Sequence, residues 1–174
     1  KVPVGGQILD NTATELTVAN ADAEDLYENL VFLPDMQTVN LEGNLPAATG
    51  LQKLTEKFTN VKFYWEYELY GLKLDVNTEE VDLSGIKMGD VSTVESALGY
   101  LPGLKKVIMC KCGIPNEEMD QLGKRNPGVR FVWEVKIAGL YVRTDTDNFI
   151  VSKYPTWLPG GNQCSNLKYC VDLV

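Results

Sequence analysis

Residues 61–72 read VKFYWEYELYGL, and residues 129–140 read VRFVWEVKIAGL. The two stretches align at an offset of 68 positions, and the alignment extends without a gap over residues 33–76 and 101–144. Self-similarity at a fixed period is typical of proteins built from repeated structural units. The sequence therefore predicts two related units in tandem.

Apolar and polar side chains alternate within both stretches, which is typical of β-strands with one buried face. In the first copy, Phe63 and Trp65 share the apolar face, while Tyr64 and Glu66 share the other. Gly71 then allows the chain to double back as a β-ribbon. The tryptophan of each copy could serve as a platform for a sugar ring, but its place on the apolar face favours core packing.

A shorter spacing recurs inside the long repeat. Residues 102–105 read PGLK, and residues 127–130 read PGVR, a step of 25 residues. That step falls within the range of roughly 20–29 residues that leucine-rich repeats use. The pattern LxxLxLxx(N/C)xL of those repeats is filled in the second copy by Leu104, Val107, Met109, Cys112 and Ile114, and in the first copy by Met36, Val39, Leu41 and Asn44.

On these motifs the sequence resembles the leucine-rich repeat family, and it looks like the surface-exposed members found in anaerobic Gram-positive bacteria. The resemblance implies an α/β, leucine-rich-repeat-like solenoid with a mainly parallel sheet flanked by helices and with β-ribbon insertions. It also implies recognition of a protein or a surface, with no cofactor. The alternative fold is a compact two-layer α/β sandwich of two tandem subdomains.

The repeat predicts four segments along the chain. They are an N-terminal extension over residues 1–13, a first unit over 14–80, a second unit over 81–148 and an incomplete third unit over 149–174. Repeat arrays normally end in a polar capping unit, whereas this sequence ends on apolar residues. We therefore expect the natural protein to continue into further repeats, and we expect the uncapped C-terminal edge to support self-association.

Helix starts are indicated by residues that satisfy free backbone amides. Asp22 precedes a run of leucines at helical spacing, and Asn116 precedes two glutamates. Two further helices begin with sequences typical of capping boxes, in which a hydroxyl and a longer side chain bind the first turn reciprocally. These capping boxes are Thr49 with Gln52 and Ser92 with Glu95.

The composition excludes several classes of function. The chain has 16 basic and 24 acidic residues, so its net charge of −8 disfavours nucleic acid and anionic lipid as partners. It contains no histidine, which removes serine–histidine and cysteine–histidine nucleophile pairs. No apolar run approaches the ~18 residues of a membrane-spanning helix, so no membrane insertion is expected.

The four cysteines leave three interpretations open. Cys110 and Cys112 have a spacing at which both could bind one metal ion, but no histidine and no second close pair completes a site. Cys164 and Cys170 could form a disulfide. Buried, unpaired thiols are the simplest interpretation, and no metal or other cofactor is predicted.

Two acidic motifs are poor candidates for chemistry. Residues 145–148 read DTDN, like the start of a calcium loop, but the glycine and the glutamate that such a loop needs are missing, so we predict a turn. Glu66 and Glu134 recur on the polar strand face, where a solvated sheet also needs charge. No catalytic residue is predicted.

The polar faces of the strands form the predicted binding surface. Aromatic, apolar and oppositely charged side chains are mixed there, which is typical of a recognition surface. We therefore predict a non-catalytic module that binds a protein ligand and is extracellular or displayed on the cell surface. A structural spacer in a larger surface protein is the alternative, and a carbohydrate-active enzyme or sugar-binding domain is the third interpretation. The predicted ligand-binding residues are Thr38, Asn40, Lys62, Tyr64, Glu66, Lys106, Ile108, Arg130, Val132 and Glu134.

Overall fold

The structure is a computed structural model that describes residues 1–137, 139–146 and 168–170. These residues form four α-helices and twelve short β-strands. The strands are divided among five separate sheets, which makes this a small α/β protein. Within the same residues, no helix is both long and apolar enough to span a lipid bilayer.

The chain separates into two compact units. The first comprises Lys1–Thr78 and Ser96–Gly103, and the second comprises Glu79–Glu95 and Leu104–Val174. Residues 1–13 belong to the first unit. The predicted segment limits stay a prediction.

The first unit contains three small sheets. Strands β3, β4 and β5 form a parallel sheet, whereas β1 pairs with β2 and β6 pairs with β7, both antiparallel. A 3-10 turn over Leu30–Phe32 follows the first helix. The elements are β1 (Val2–Val4), β2 (Gln7–Leu9), β3 (Glu15–Ala19), α1 (Ala23–Asn29), β4 (Thr38–Glu42), α2 (Ala48–Lys57), β5 (Lys62–Tyr64), β6 (Glu66–Leu69) and β7 (Leu72–Asp75).

The elements from β8 to β12 follow a similar plan. Strands β8, β9 and β10 form a parallel sheet, and β11 pairs with β12 in an antiparallel hairpin. Of α3, residues 92–95 belong to the second unit and residues 96–98 to the first. The elements are β8 (Glu80–Asp82), α3 (Ser92–Leu98), β9 (Lys106–Ile108), α4 (Asn116–Arg125), β10 (Arg130–Val132), β11 (Glu134–Ile137) and β12 (Leu140–Arg143).

The predicted solenoid with one mainly parallel sheet is therefore wrong. The strands form two parallel three-stranded sheets and three antiparallel pairs. Each parallel sheet ends after its third strand because the chain then turns into a hairpin instead of a helix that leads to another parallel strand. In the first hairpin, Tyr70 and Gly71 both have positive φ, at 51° and 81°. A two-residue turn with two positive φ values matches the twist of an antiparallel pair.

The core of the first unit lies between the parallel sheet and its helices. Val39 on β4 and Leu26 on α1 are fully buried, and Leu54 on α2 is nearly so. The two helices approach closely at Gly50, where an added Cβ would lie 2.8 Å from the Cβ of Ala23. A side chain at position 50 would therefore push α2 away from α1.

The N-terminal hairpin β1–β2 is bound to this core. Val2 and Val4 are buried among the core residues. The backbone amide of Gly5 donates to a carboxylate oxygen of Asp25 at 2.6 Å. The side chain of Gln7 donates to the carbonyl oxygen of Thr17 at 2.6 Å, so it occupies an acceptor on edge strand β3.

One predicted helix cap is confirmed and three are wrong. The carboxylate of Asp22 accepts the amide of Glu24 at the start of α1, as predicted. Helix α2 begins after Ala47 and α4 begins after Pro115, and neither N-cap residue makes a side-chain hydrogen bond. Thr49 lies two positions after the N-cap of α2, and Asn116 lies one position after the N-cap of α4, so neither side chain is placed to cap its helix.

The start of helix α3 is capped by Asp90 and not by the predicted pair of Ser92 and Glu95. The carboxylate of Asp90 accepts the amide of Ser92 at 2.8 Å. Glu95 turns away from the helix start and binds the guanidinium of Arg125 with two hydrogen bonds of 2.8 Å. This pairing lowers the pKa of Glu95 below its ordinary value. The predicted capping box is therefore replaced by an ion pair between α3 and α4.

Candidate functional site

The polar face of the first parallel sheet is open to solvent. Thr38 on β4 lies beside Lys62 on β5, and Asn40 lies beside Tyr64. Their side chains are half-buried or exposed, and the Tyr64 ring is 39% accessible. The alternate residues of both strands turn into the core, as the alternation predicted. We call these four residues the open sheet face.

A groove of about 830 Å³ lies where this face meets the hairpin β6–β7. It begins at the carboxyl ends of β4 and β5, the end at which ligands bind in many open parallel sheets. We call it the hairpin groove. Its polar and aromatic lining includes Asn40, Glu42, Tyr64, Glu66, Tyr67, Glu68, Lys73 and Asp75.

The hairpin groove carries an excess of negative charge. Glu66 on β6 lies directly opposite Asp75 on β7, and Glu68 lies opposite Lys73. With Glu42, the groove has four carboxylates and one ammonium group. In the described part of the chain, none of these four carboxylates forms an ion pair.

Aromatic rings support the floor of the groove. Tyr67 stacks on Tyr100 with ring centroids 4.6 Å apart and planes inclined by 14°. Burial, followed by repulsion from Tyr100, raises the pKa of the Tyr67 hydroxyl. Trp65 is only 4% accessible, and its indole nitrogen donates to the carbonyl oxygen of Tyr100 at 2.7 Å. The interpretation of this tryptophan as a core residue is confirmed.

The matching face of the second parallel sheet is largely covered. Ile108 is 5% accessible and Val132 is fully buried, in a small apolar cluster with Cys110. The expectation that Ile108 and Val132 are exposed to a ligand is therefore wrong. A signal was present in the sequence, because the repeat aligns these apolar residues with Asn40 and Tyr64 of the open sheet face.

Charged residues surround that apolar cluster. Lys106 lies 3.4 Å from a carboxylate oxygen of Glu80 and 3.6 Å from one of Asp145. Arg143 binds Asp145 with two hydrogen bonds of 2.8 and 2.7 Å, and this pairing lowers the pKa of the carboxyl. Of the remaining predicted residues, Arg130 is exposed and Glu134 is half-buried. Of the first-unit set, the structure thus places Asn40, Tyr64 and Glu66 in the lining of the groove, with Thr38 and Lys62 on the adjoining sheet face. The second-unit set is only partly accessible.

The second tryptophan also packs inside. Trp133 is 9% accessible, and its indole nitrogen lies 3.1 Å from the side-chain oxygen of Asn116. Its ring meets that of Tyr169 with centroids 5.9 Å apart. Neither tryptophan is therefore a stacking platform open to a sugar.

The thiols of the second unit are buried. Cys110 and Cys112 are unpaired, and burial raises the pKa of both. The sulfur of Cys112 lies 3.2 Å from the carbonyl oxygen of Leu83. A buried, protonated thiol is a weak nucleophile, so a packing role fits both residues. Cys170 is buried, and Cys164 lies outside the described residues.

Metal ligands do not converge in the described ranges. No three or more histidine, cysteine, aspartate or glutamate side chains in them are close enough to hold one ion. Of the DTDN motif, Asp145 lies in a turn, and residues 147–148 lie outside the described residues. The predicted third unit is also almost entirely outside them.

Comparison with known proteins gives no relative: no family model, no curated protein and no solved structure matches this chain. Nothing in these comparisons identifies a leucine-rich repeat protein.

Proposed function

We propose that this chain is a non-catalytic recognition module that binds a protein ligand through the open sheet face and the hairpin groove. The observation that carries the proposal is the location of polar and aromatic side chains without a packing role beside a groove of about 830 Å³. Strand residues pointing away from the core are free to be selected for contact with a partner. The motif resemblance to leucine-rich repeat proteins supports the same class of function and a location at the cell surface.

Tyr64 is the centre of the proposed contact. Tyrosine is enriched at protein interfaces because it offers a rigid apolar ring with a polar tip at little cost in conformational entropy. The ring is 39% accessible and lies between the sheet and the hairpin groove. Half-exposed polar neighbours such as Asn40 and Thr38 provide the hydrogen-bonding rim that such contacts use.

The proposal is narrower than the one made from the sequence. It retains Thr38, Asn40, Lys62, Tyr64 and Glu66. It leaves out all five residues predicted in the second unit, which are Lys106, Ile108, Arg130, Val132 and Glu134. A role as a structural spacer is the outcome that remains if no ligand is found.

A selection experiment tests the proposal. A random peptide library is panned against the immobilised full chain, and the affinity of selected peptides is measured by isothermal titration calorimetry. Tyr64→Ala is expected to weaken binding about tenfold or more, the loss that a tyrosine at the centre of an interface gives when it is a hot spot. Tyr27→Ala is the matched control, because Tyr27 is 38% accessible and lies on α1, outside the groove. Equal effects of the two substitutions would place the binding surface elsewhere.

A further inference from the structure

We propose that the ligand of the hairpin groove is an extended basic segment of a protein, with lysine or arginine side chains seated against the groove. This inference rests on the proposed function and adds the chemistry of the partner. It follows from the charges, the exposed ring and the spacing of the carboxylates in the groove.

The four carboxylates of the groove form no ion pair among the described residues, although Asp75 accepts the backbone amide of Asn77 at 2.6 Å. Glu66 and Asp75 are direct cross-strand neighbours, an arrangement of like charges that destabilises an antiparallel pair. The one cation of the hairpin, Lys73, forms no ion pair among the described residues, although Glu68 lies opposite it. A cationic partner would relieve the repulsion and complement the excess charge.

The exposed ring of Tyr64 fits the same partner. Lysine and arginine side chains bind the faces of aromatic rings, and arginine does so more often. Tyr64 lies in the groove beside Glu66, so a single basic side chain can contact a ring and a carboxylate together.

A metal ion is a poorer fit than a peptide. No three carboxylates of the groove are close enough together to hold one ion. The same holds for the aspartate, glutamate and cysteine side chains in the rest of the described residues. They are instead distributed along a groove of about 830 Å³. Charges spread in this way suit several cationic side chains along an extended chain better than one small ion.

The second unit provides an internal comparison. At the repeat offset, Glu42, Glu68 and Asp75 correspond to a cysteine, a lysine and an arginine. The groove beside the second hairpin is about 420 Å³ and is lined by Lys87 and Lys111 with one glutamate. Among the described residues, the groove beside the first hairpin is therefore the larger and the more acidic of the two.

The test measures binding of labelled oligolysine and oligoarginine peptides to the full chain by fluorescence anisotropy, with an oligoglutamate peptide as the negative probe. Glu66→Gln with Asp75→Asn is expected to weaken binding of both basic peptides about tenfold, the combined effect of two surface ionic contacts. Affinity should also fall as salt is added. The matched control is Glu28→Gln with Asp35→Asn, which removes the same charge at exposed positions outside the groove.

Four outcomes would overturn the inference. The first is no binding of either basic peptide. The second is an equal loss of affinity in the control variant, which would show attraction to the net charge of −8 alone. The third is calcium binding that the groove substitutions abolish and that displaces the peptides. Selection of neutral or acidic peptides that depend on Tyr64 would contradict this inference and leave the proposed recognition function standing.

Discussion

Glu66 and Asp75 face each other across the first hairpin, so their like charges repel, although the Asp75 carboxylate also accepts the backbone amide of Asn77 at 2.6 Å. Residues that reduce stability and remain at an accessible groove are often kept for binding. Lys73 lies opposite Glu68, two residue pairs along the hairpin, and forms no ion pair with Glu66 or Asp75 among the described residues. The effect of this repulsion on the stability of the fold can be measured without knowledge of the ligand.

We expect Glu66→Gln to raise the melting temperature by about 1–3 °C, because it removes one of two opposed like charges. Differential scanning calorimetry at low salt measures the change. Glu28→Gln serves as the control, since Glu28 lies exposed on α1, outside the groove. A lower melting temperature for Glu66→Gln would mean that the Glu66 carboxylate has a stabilising partner.

The ion pair of Asp145 is expected to make the free energy of unfolding depend on pH. The hydrogen bonds from Arg143, with help from the charge of Lys106, lower the pKa of this carboxyl in the folded state. A lowered pKa adds stability that is complete above the unfolded value of about 3.9 and is lost as the pH falls through the folded value.

Asp145→Asn should therefore destabilise the chain at pH 7 by about 1 kcal/mol, a modest value because the Arg143 side chain is open to solvent. The difference from the unsubstituted chain should shrink as the pH falls below 4. Urea unfolding at pH 7 and at a pH below 4 measures this difference in the free energy of unfolding, with Asp35→Asn as the control. A constant difference at every pH would contradict the ion-pair account.

Two residue-level errors in the sequence analysis have the same cause. Alternation correctly placed Trp65 and Trp133 inside, because it reports the pleat of a strand. It also placed Ile108 and Val132 outside, but alternation cannot show whether the outer face of a sheet is covered. The apolar character of both residues was the better guide.

At the scale of elements, helix packing depends on small residues that the sequence pattern does not mark. Gly50 on α2 faces Ala23 on α1, whereas Gly123 on α4 has no atom within 4 Å of the place where a Cβ would lie. The two glycines look alike in the sequence, since both lie within helices of ten residues.

Gly50→Ala is expected to destabilise the chain by about 1–3 kcal/mol, because the added methyl group forces α2 away from α1. Gly123→Ala is the matched control and should stabilise the chain by about 0.5–1 kcal/mol, since alanine favours the helix and meets no obstacle. Chemical denaturation gives both values. Stabilisation by both substitutions would contradict the close approach of α1 and α2.

Element boundaries were harder to predict than element types. The cap at Asp22 could be predicted because an aspartate directly before leucines at helical spacing is typical of a helix N-cap. The capping boxes at Thr49 and Ser92 matched the motif, but the helices start at Ala48 and at Ser92 itself, so those hydroxyls are not in the N-cap position. A shift of one or two residues is enough to remove such a cap.

At the scale of the whole molecule, the repeat in the sequence was a sound guide to similar local order and a poor guide to strand pairing. Both copies contain a parallel three-stranded sheet followed by an antiparallel hairpin. Which strands pair depends on contacts between distant residues, and periodicity carries no information about them. The structure therefore has five sheets where a single sheet was predicted.

The most direct test of the hairpin groove as the binding site is a nuclear magnetic resonance titration of the isotopically labelled full chain with an oligoarginine peptide. We predict saturable shift changes that concentrate at residues 40–42, 64–68 and 73–77 and that leave residues 130–134 of the second unit unchanged. Shift changes spread evenly over exposed acidic residues, or concentrated in the second unit, would contradict the assignment of the hairpin groove as the binding site.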